Sequence, residues 1–498
     1  MKAITTAVLL LALAPTLPAV AASTPDNTAT ELYQQHCASC HGSERLGGMG
    51  PALLPENLSR LKQEAAAGVI LDGRPATQMP AFRGILSEDS ARALAQFIYQ
   101  PPEKAPTWGQ PEIRASHELP HPPGTLPDQP VYEADLMNLF LVVETGDHHV
   151  TLLDGDAMEP IHRFASRYAL HGGPKYSPDG RYVYFGSRDG WITKYDLYNL
   201  KTVAEVRAGI NMRNIAVSAD GRYVMAANYL PHTLVLFDAE NLDLIEVLPV
   251  TDDAGASSRV SAVYAAPPRG SFIAALKDLP QAWEITVVDG RARVRVMQTR
   301  TWLDDFFFDP GYQHLIGAAR DGKQGHVIDL DSGDTIATLP LPGMPHLGSG
   351  ITWEHEGRRV MATPHFRTGA VSIIDMNNWQ VVKTLKTEGP GFFMRSHENS
   401  PYAWVDVFFG PNRDKVHVID KQSLEIVKTL RPVPGKVAAH VEFDRYGEKL
   451  LLSVWDEDGA VIVYDAETLE ELKRLPMNKP SGKYNVWNKI HYEEGTSH

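Results

Sequence analysis

Ile419-Asp420-Lys421-Gln422-Ser423-Leu424-Glu425-Ile426-Val427-Lys428-Thr429-Leu430 is one unit of the pattern that decides the fold of most of this chain. An apolar run ends on an aspartate, a short polar turn follows, and a second strand-like run begins. The same mark stands at Leu153-Asp154, Tyr195-Asp196, Phe237-Asp238, Val288-Asp289, Ile328-Asp329, Ile374-Asp375 and Tyr464-Asp465, and the eight are spaced by 42, 42, 51, 40, 46, 45 and 45 residues. Several are preceded by a turn of one kind, as in Ser177-Pro178-Asp179-Gly180, Ser218-Ala219-Asp220-Gly221 and Asp444-Arg445-Tyr446-Gly447. A period in the forties with about four strands per unit is the signature of propeller blades. Eight marks predict an eight-bladed β-propeller over residues 131–498. The aspartates themselves suit turns and need no chemical part.

Upstream the composition changes. Residues 103–130, following Pro101-Pro102, carry Pro106, Pro111, Pro120, Pro122-Pro123, Pro127 and Pro130, which predicts an extended linker. Before it, residues 23–102 read as a small all-α domain built around Cys37-Ala38-Ser39-Cys40-His41, the C-x-x-C-H spacing of c-type haem attachment. Two thiols at this spacing reach the two vinyl groups of one haem, and His41 then lies under the iron. A redox dithiol or half of a zinc site is the other chemistry open to such a pair. A dithiol does not need the adjacent histidine, and a structural zinc site needs more ligands than cluster here. These are the chain's two cysteines. Glu31–His36 predicts a helix running into the motif. Leu86-Ser87-Glu88-Asp89 supplies a cap and an acidic first turn for a helix through Tyr99. For the sixth iron position Met79, held by Pro80, is the leading thioether, with Met49 or an outside histidine as alternatives.

Residues 1–22 read as a secretory signal: Met1-Lys2, an apolar run from Ala7 to Ala14, and small residues through Ala22. That run is too short to span a bilayer, and no later run of spanning length follows. With c-type haem, the expected compartment is the bacterial periplasm. The formal net charge of −14 argues against a nucleic-acid partner and suits steering of a basic electron-transfer protein.

The segment Tyr168-Ala169-Leu170-His171-Gly172-Gly173-Pro174-Lys175-Tyr176 resembles the proximal-ligand segment of the cytochrome cd1 nitrite reductase family. The resemblance continues through Ser187-Arg188-Asp189-Gly190, Met212-Arg213-Asn214-Ile215, Ala227-Asn228-Tyr229, Met344-Pro345-His346, Ser453-Val454-Trp455 and Pro480-Ser481-Gly482-Lys483-Tyr484-Asn485. It spans the whole propeller and implies a cytochrome c domain joined to a haem d1-binding, eight-bladed propeller. Carried over, His171 is the proximal ligand of the d1 iron, Arg188 and Arg213 pair with macrocycle carboxylates, and Tyr229 lies at the rim. Guanidinium forks suit carboxylates in a dry cavity.

Two departures bear on function. Of the reductases' two distal histidines one is matched by His346, but the other position reads Leu303-Asp304-Asp305, and Leu347-Gly348-Ser349 replaces an arginine. A carboxylate there repels an anion such as nitrite. The chain is more similar to the paralogous dihydro-haem d1 dehydrogenases, which oxidise one propionate of the macrocycle to an acrylate. There the tetrapyrrole is substrate and the covalent haem c takes the electrons. His346 is then a distal ligand or proton shuttle, His440 a base or alternate ligand, and Tyr484 a neighbour of the side-chain carboxylate. Nitrite reduction to nitric oxide and non-catalytic haem d1 carriage are the rival functions. Expected partners are the tetrapyrrole, a small periplasmic cytochrome or cupredoxin as electron acceptor, and the cytochrome cd1 nitrite reductase as recipient. His148 and His149 read as turn residues, His365 and His397 as loop histidines with approach to the macrocycle as the alternative, and Glu467–Arg474 as a solvated strand face.

Overall fold

The computed structural model describes residues 25–48, 50–58, 61–74, 79–104 and 106–491. The signal segment and Met49 lie outside the described residues. Among the described residues no helix is long and apolar enough to cross a membrane.

The small domain packs helix α1 (Pro25–His36) and the short α2 (Ala38–His41) with α3 (Gln63–Asp72) and α4 (Glu88–Tyr99). Ser87 caps α4, its Oγ accepting from Ser90 N at 3.1 Å, and Glu88 and Asp89 complement the helix dipole. Ala91, Leu94, Ala95 and Ile98 recur at helical spacing and form the buried face of α4. Against it lie Tyr33, Ile70 and Leu71. Arg45 ties the end of α4 down, donating to the carbonyls of Phe97 at 2.8 Å and Gln100 at 3.0 Å.

The proline-rich stretch is more than an extended linker. It contains helix α5 (Gln110–Ala115), opened by Pro111 and capped by Glu112, whose carboxylate accepts from Gly109 N at 2.7 Å. Ile113 is fully buried among propeller residues, with Trp108, Leu119 and Leu126 packed beside it. Proline spacing signals the breaks, whereas the apolar residues between them decide the docking.

Eight four-stranded antiparallel sheets make the ring. Seven run from an inner to an outer strand in chain order. In the remaining blade Leu139–Glu144, His149–Asp154 and Glu159–Ala165 supply the outer three strands, and Pro480–Asn485 returns as the innermost. Helix α6 (Val486–His491) follows directly. Buried apolar side chains such as Trp353, Trp404, Phe237 and Phe272 fill the spaces between neighbouring sheets.

Seven of the eight marker aspartates end the third strand of a blade, and Asp289 directly follows one. Seven accept backbone N–H groups from the turn beyond; Asp420 Oδ1, for example, takes those of Gln422 at 3.2 Å and Ser423 at 2.6 Å. Asp289 differs. It sits with φ 51° beside Gly290 in a tight hairpin between Gln281–Val288 and Arg291–Gln298. The Ser177 and Ser218 turns join first to second strands, their serine hydroxyls bonding Asp179 and Asp220.

Candidate functional site

The haem c cavity measures about 640 Å³ and is walled by Cys37, Cys40, His41, Met79 and apolar side chains that include Leu58, Ile70 and Leu94. His41 Nδ1 donates to Pro51 O at 2.7 Å, which leaves the lone pair on Nε2. A Cβ at Gly50 would stand 2.7 Å from the imidazole, so only a glycine lets the ring occupy this place. Both thiols, the oriented ring and Met79 share one apolar cavity, and a c-type haem fits it.

A second cavity, of about 730 Å³, opens on the propeller axis. Inner strands and the loops that precede them supply its wall. His171, Arg188, Arg213, His346, His440 and Tyr484 all line it. His171 Nδ1 donates to the carbonyl of Arg213 at 2.8 Å, which places the lone pair on Nε2. That nitrogen accepts from Arg188 Nη2 at 3.1 Å and Arg213 Nη1 at 2.9 Å. Two guanidiniums thus occupy the imidazole lone pair, and both must swing aside, toward the carboxylates of a bound macrocycle, before that nitrogen can take a metal. Gly172 and Gly173 make this clustering possible. At φ 83° a Cβ on Gly172 would meet Asn214 Cβ at 2.7 Å, and one on Gly173 would meet the Tyr484 ring at 3.1 Å.

His346 and His440 face the same cavity with different protonation. His346 Nδ1 donates to Phe392 O at 2.5 Å, so its Nε2 carries the lone pair, 3.8 Å from Asp305 Oδ2. Burial pushes its pKa down against the pull of Asp305. His440 stacks edge-on to Phe393 at 4.7 Å and Tyr484 at 5.1 Å. Its Nδ1 accepts a long hydrogen bond, 3.3 Å, from Lys483 N. Burial, then the charges of Lys483, Arg395 and Lys489, drive its pKa far below the usual value, so the ring is neutral. Burial likewise raises the Tyr484 phenol, which stays protonated.

Arg213, Ser261, Asp304 and His440 occupy the same place in four blades. Each is the extra residue of a bulge in an innermost strand. The bulge turns Arg213 and His440 into the cavity. At Asp304 it does not bring a carboxylate to the distal face. Asp304 pairs instead with Lys277 at 2.9 Å and Arg320 at 3.1 Å and lies outside the cavity lining. Burial pushes its carboxyl up, but the two cations outweigh this and hold it below the ordinary range. The carboxylate near His346 belongs to Asp305, which also accepts from Gly348 N at 2.9 Å. The replacement that the sequence places opposite an incoming anion is thus a neutralised group set behind the wall.

Tyr229 also lies outside the lining and stands behind Arg188, with Arg259 and Lys277 at comparable distance from its ring. His148 does line the cavity, edge-on to Tyr168 at 4.9 Å, although its sequence context marks only a turn. His365 and His397 do not line it; they bond Ser372 at 2.9 Å and Asn399 N at 3.1 Å. Sequence reasoning missed Phe392, Phe393, Phe408 and Lys489 in the wall, and the buried Arg395–Glu442 pair at 2.8 Å. Paired phenylalanines beside glycine, at Gly391-Phe392-Phe393 and Phe408-Phe409-Gly410, were the available signal. Tyr168 and Arg74 line both this cavity and that of haem c, so the two sites share a wall.

Comparison with known proteins agrees with this arrangement. Residues 134–489 match the Cytochrome D1 heme domain family, and residues 25–98 match Cytochrome C oxidase, cbb3-type, subunit III. The dihydro-heme d1 dehydrogenase of Pseudomonas aeruginosa is 61% identical over 468 residues, 94% of this chain and 95% of that protein. A nitrite reductase of Stutzerimonas stutzeri is 26% identical over 94% of each. A solved structure, dihydro-heme d1 dehydrogenase NirN in complex with DHE, superposes with a TM-score of 0.87 at 60% identity, covering 93% of this chain and all of that one. A c-type cytochrome domain, a d1-type propeller and this degree of identity place the chain in the family of the dihydro-heme d1 dehydrogenases, which are oxidoreductases.

Proposed function

We propose that this protein is a periplasmic dihydro-haem d1 dehydrogenase, converting one propionate side chain of its tetrapyrrole substrate to an acrylate. The observation that carries the reading is the convergence of His171, Arg188 and Arg213 in a cavity that shares a wall with the haem c site. In the reaction –CH2–CH2–COO⁻ becomes –CH=CH–COO⁻, releasing two protons and two electrons. Cys37 and Cys40 would hold haem c, with His41 and Met79 as its ligands, and it would take the two electrons one at a time, being re-oxidised after each, while His440 and His346 take up the two protons.

The chain's own residues bind, orient and take protons. His171 presents its lone pair to the substrate's metal, and Arg188 and Arg213 turn toward its carboxylates. His346, with Nε2 unprotonated, is a distal ligand or proton shuttle. His440 is the base on position: its uncharged ring lies in the cavity wall against Tyr484, although burial and the neighbouring cations weaken it as a proton acceptor. Accepting at Nε2 needs the tautomer protonated at Nδ1, which gives up the long 3.3 Å contact with Lys483 N. Tyr484 lies against His440 and holds a neutral hydroxyl beside the side-chain carboxylate. Phe392, Phe393 and Phe408 exclude water from this sector. A small cytochrome or cupredoxin re-oxidises haem c, and the product passes to the cytochrome cd1 nitrite reductase.

The test is His171→Ala in the haem c-loaded protein, incubated with dihydro-haem d1. Uptake is expected to weaken about a hundredfold or more, since loss of even an outer-shell partner of a metal ligand costs 10–100-fold. The parent protein is expected to lower the tetrapyrrole mass by two hydrogens as haem c becomes reduced. Unchanged uptake and conversion in the variant overturn the assignment.

A further inference from the structure

We propose that Asp406 is the positioning residue that sets both distal imidazoles, His346 and His440, at once. The inference rests on the reading above that these two rings act on the tetrapyrrole. Asp406 ends the second strand of its blade, Tyr402–Asp406, and is 1% exposed. Its Oδ1 accepts from Phe392 N at 2.7 Å and Phe393 N at 3.0 Å. Its Oδ2 faces His440 N of the next blade at 3.4 Å.

Each of these amides belongs to a group that fixes a histidine. The carbonyl of Phe392 holds His346 Nδ1 at 2.5 Å, and the Phe392 ring packs on that imidazole at 4.5 Å. Phe393 packs on His440 at 4.7 Å. His440 sits in a strand bulge at φ 53°, a conformation costly to a residue with a Cβ unless its surroundings hold it there. One carboxylate in a nest of three N–H groups therefore sets the carbonyl that orients His346, the ring that supports His440 and the amide that anchors the bulge. Burial raises the Asp406 carboxyl to about 7, while the amides of Phe392, Phe393 and His440 and the charge of Lys483 pull it back. A buried carboxylate between two blades could have been replaced by a neutral hydrogen-bonding residue at less desolvation cost. Retaining a group that accepts from three amides on two separate blades is explained by the geometry it imposes.

The experiment compares Asp406→Asn, His440→Ala and the double variant in the haem c-loaded protein with dihydro-haem d1. Asparagine keeps an oxygen for Phe392 and Phe393, but turns an NH2 toward His440 N, donor against donor. Asp406→Asn is expected to take up the tetrapyrrole within about threefold of the parent and to lower conversion about tenfold or more, the usual range for a displaced catalytic group. In the double variant conversion is expected to match His440→Ala alone within about threefold, because both changes disable one unit. Asp406→Ala is expected in addition to alter the visible spectrum of the bound tetrapyrrole, since His346 loses its anchor. Parent-like conversion in Asp406→Asn, or losses that multiply in the double variant, overturn the proposal. If Asp406→Asn does not fold, Asp406→Glu is read by the split between uptake and conversion: uptake within about threefold of the parent with conversion lowered about tenfold or more supports the proposal, and parent-like conversion overturns it. Parent-like conversion in His440→Ala by itself sinks the assignment of His440 as base, a failure distinguishable from that of Asp406.

Discussion

His171, His346 and His440 are three imidazoles in one cavity, and their backbone partners separate their roles. Carbonyls of Arg213 and Phe392 accept from Nδ1 of the first two and leave Nε2 as a lone-pair nitrogen, whereas Lys483 N donates to Nδ1 of the third. Residue identities made these positions legible in the sequence; the bonds that set their tautomers were not, because each partner is 42 to 46 residues away on another blade. Asp304 shows the opposite case. Its identity suggested a charge facing an anion, and only the pairing with Lys277 and Arg320 reveals that the charge is matched by two cations outside the cavity lining. Asp304→His is therefore expected to strip Lys277 of this carboxylate and leave Arg320 with Asp278 at 3.9 Å, to lower stability by on the order of 2 kcal/mol and to gain no nitrite turnover. Thermal unfolding and nitrite consumption with reduced cytochrome c check both parts; nitrite turnover at reductase-like rates would refute the account of this site.

At the scale of the element, the repeating turns were legible because their chemistry is local. An aspartate at the end of a third strand accepts amides two and three residues on, and this needs nothing from the rest of the fold. The innermost-strand bulges were invisible, since an extra residue in a ladder is defined only by its partner strand. The turn aspartates also make a pH prediction. Backbone hydrogen bonds hold the carboxyls of Asp329, Asp420 and Asp465 below their usual range. Groups with depressed folded-state pKa stabilise the fold above their unfolded value and lose that contribution as pH falls through the folded one. The melting temperature is expected to drop as pH falls below the ordinary aspartate value of about 4. A variant with all three changed to asparagine should show a shallower slope across that window, and an unchanged slope would show that these turns do not contribute.

At the scale of the whole molecule, the two domains meet through few groups. Arg207 donates to Leu46 O of the cytochrome domain at 2.8 Å and lies over Trp108 at 4.6 Å, while Ala52 and Leu54 pack with Ile210. Arg207→Ala is expected to weaken docking by about 1–3 kcal/mol and to split calorimetric unfolding into two transitions, whereas a single unaltered transition would show that this contact does not hold the domains together. Domain order was readable from the haem motif, the prolines and the repeat, but this contact was not, because nothing in the chain between Leu46 and Arg207 signals their meeting. One further consequence belongs to Pro480–Asn485, which completes the blade begun more than three hundred residues earlier; the side chains of Asn485 and Asn138 bond at 3.2 Å across a separation of 347 residues. A nascent chain still lacking that strand has seven finished sheets and a gap in the eighth, and neither Tyr484 nor Lys489 stands in the cavity wall. Competence to hold a tetrapyrrole is thus acquired last in the biosynthesis of each molecule, and truncated copies cannot compete with finished ones for a scarce pigment.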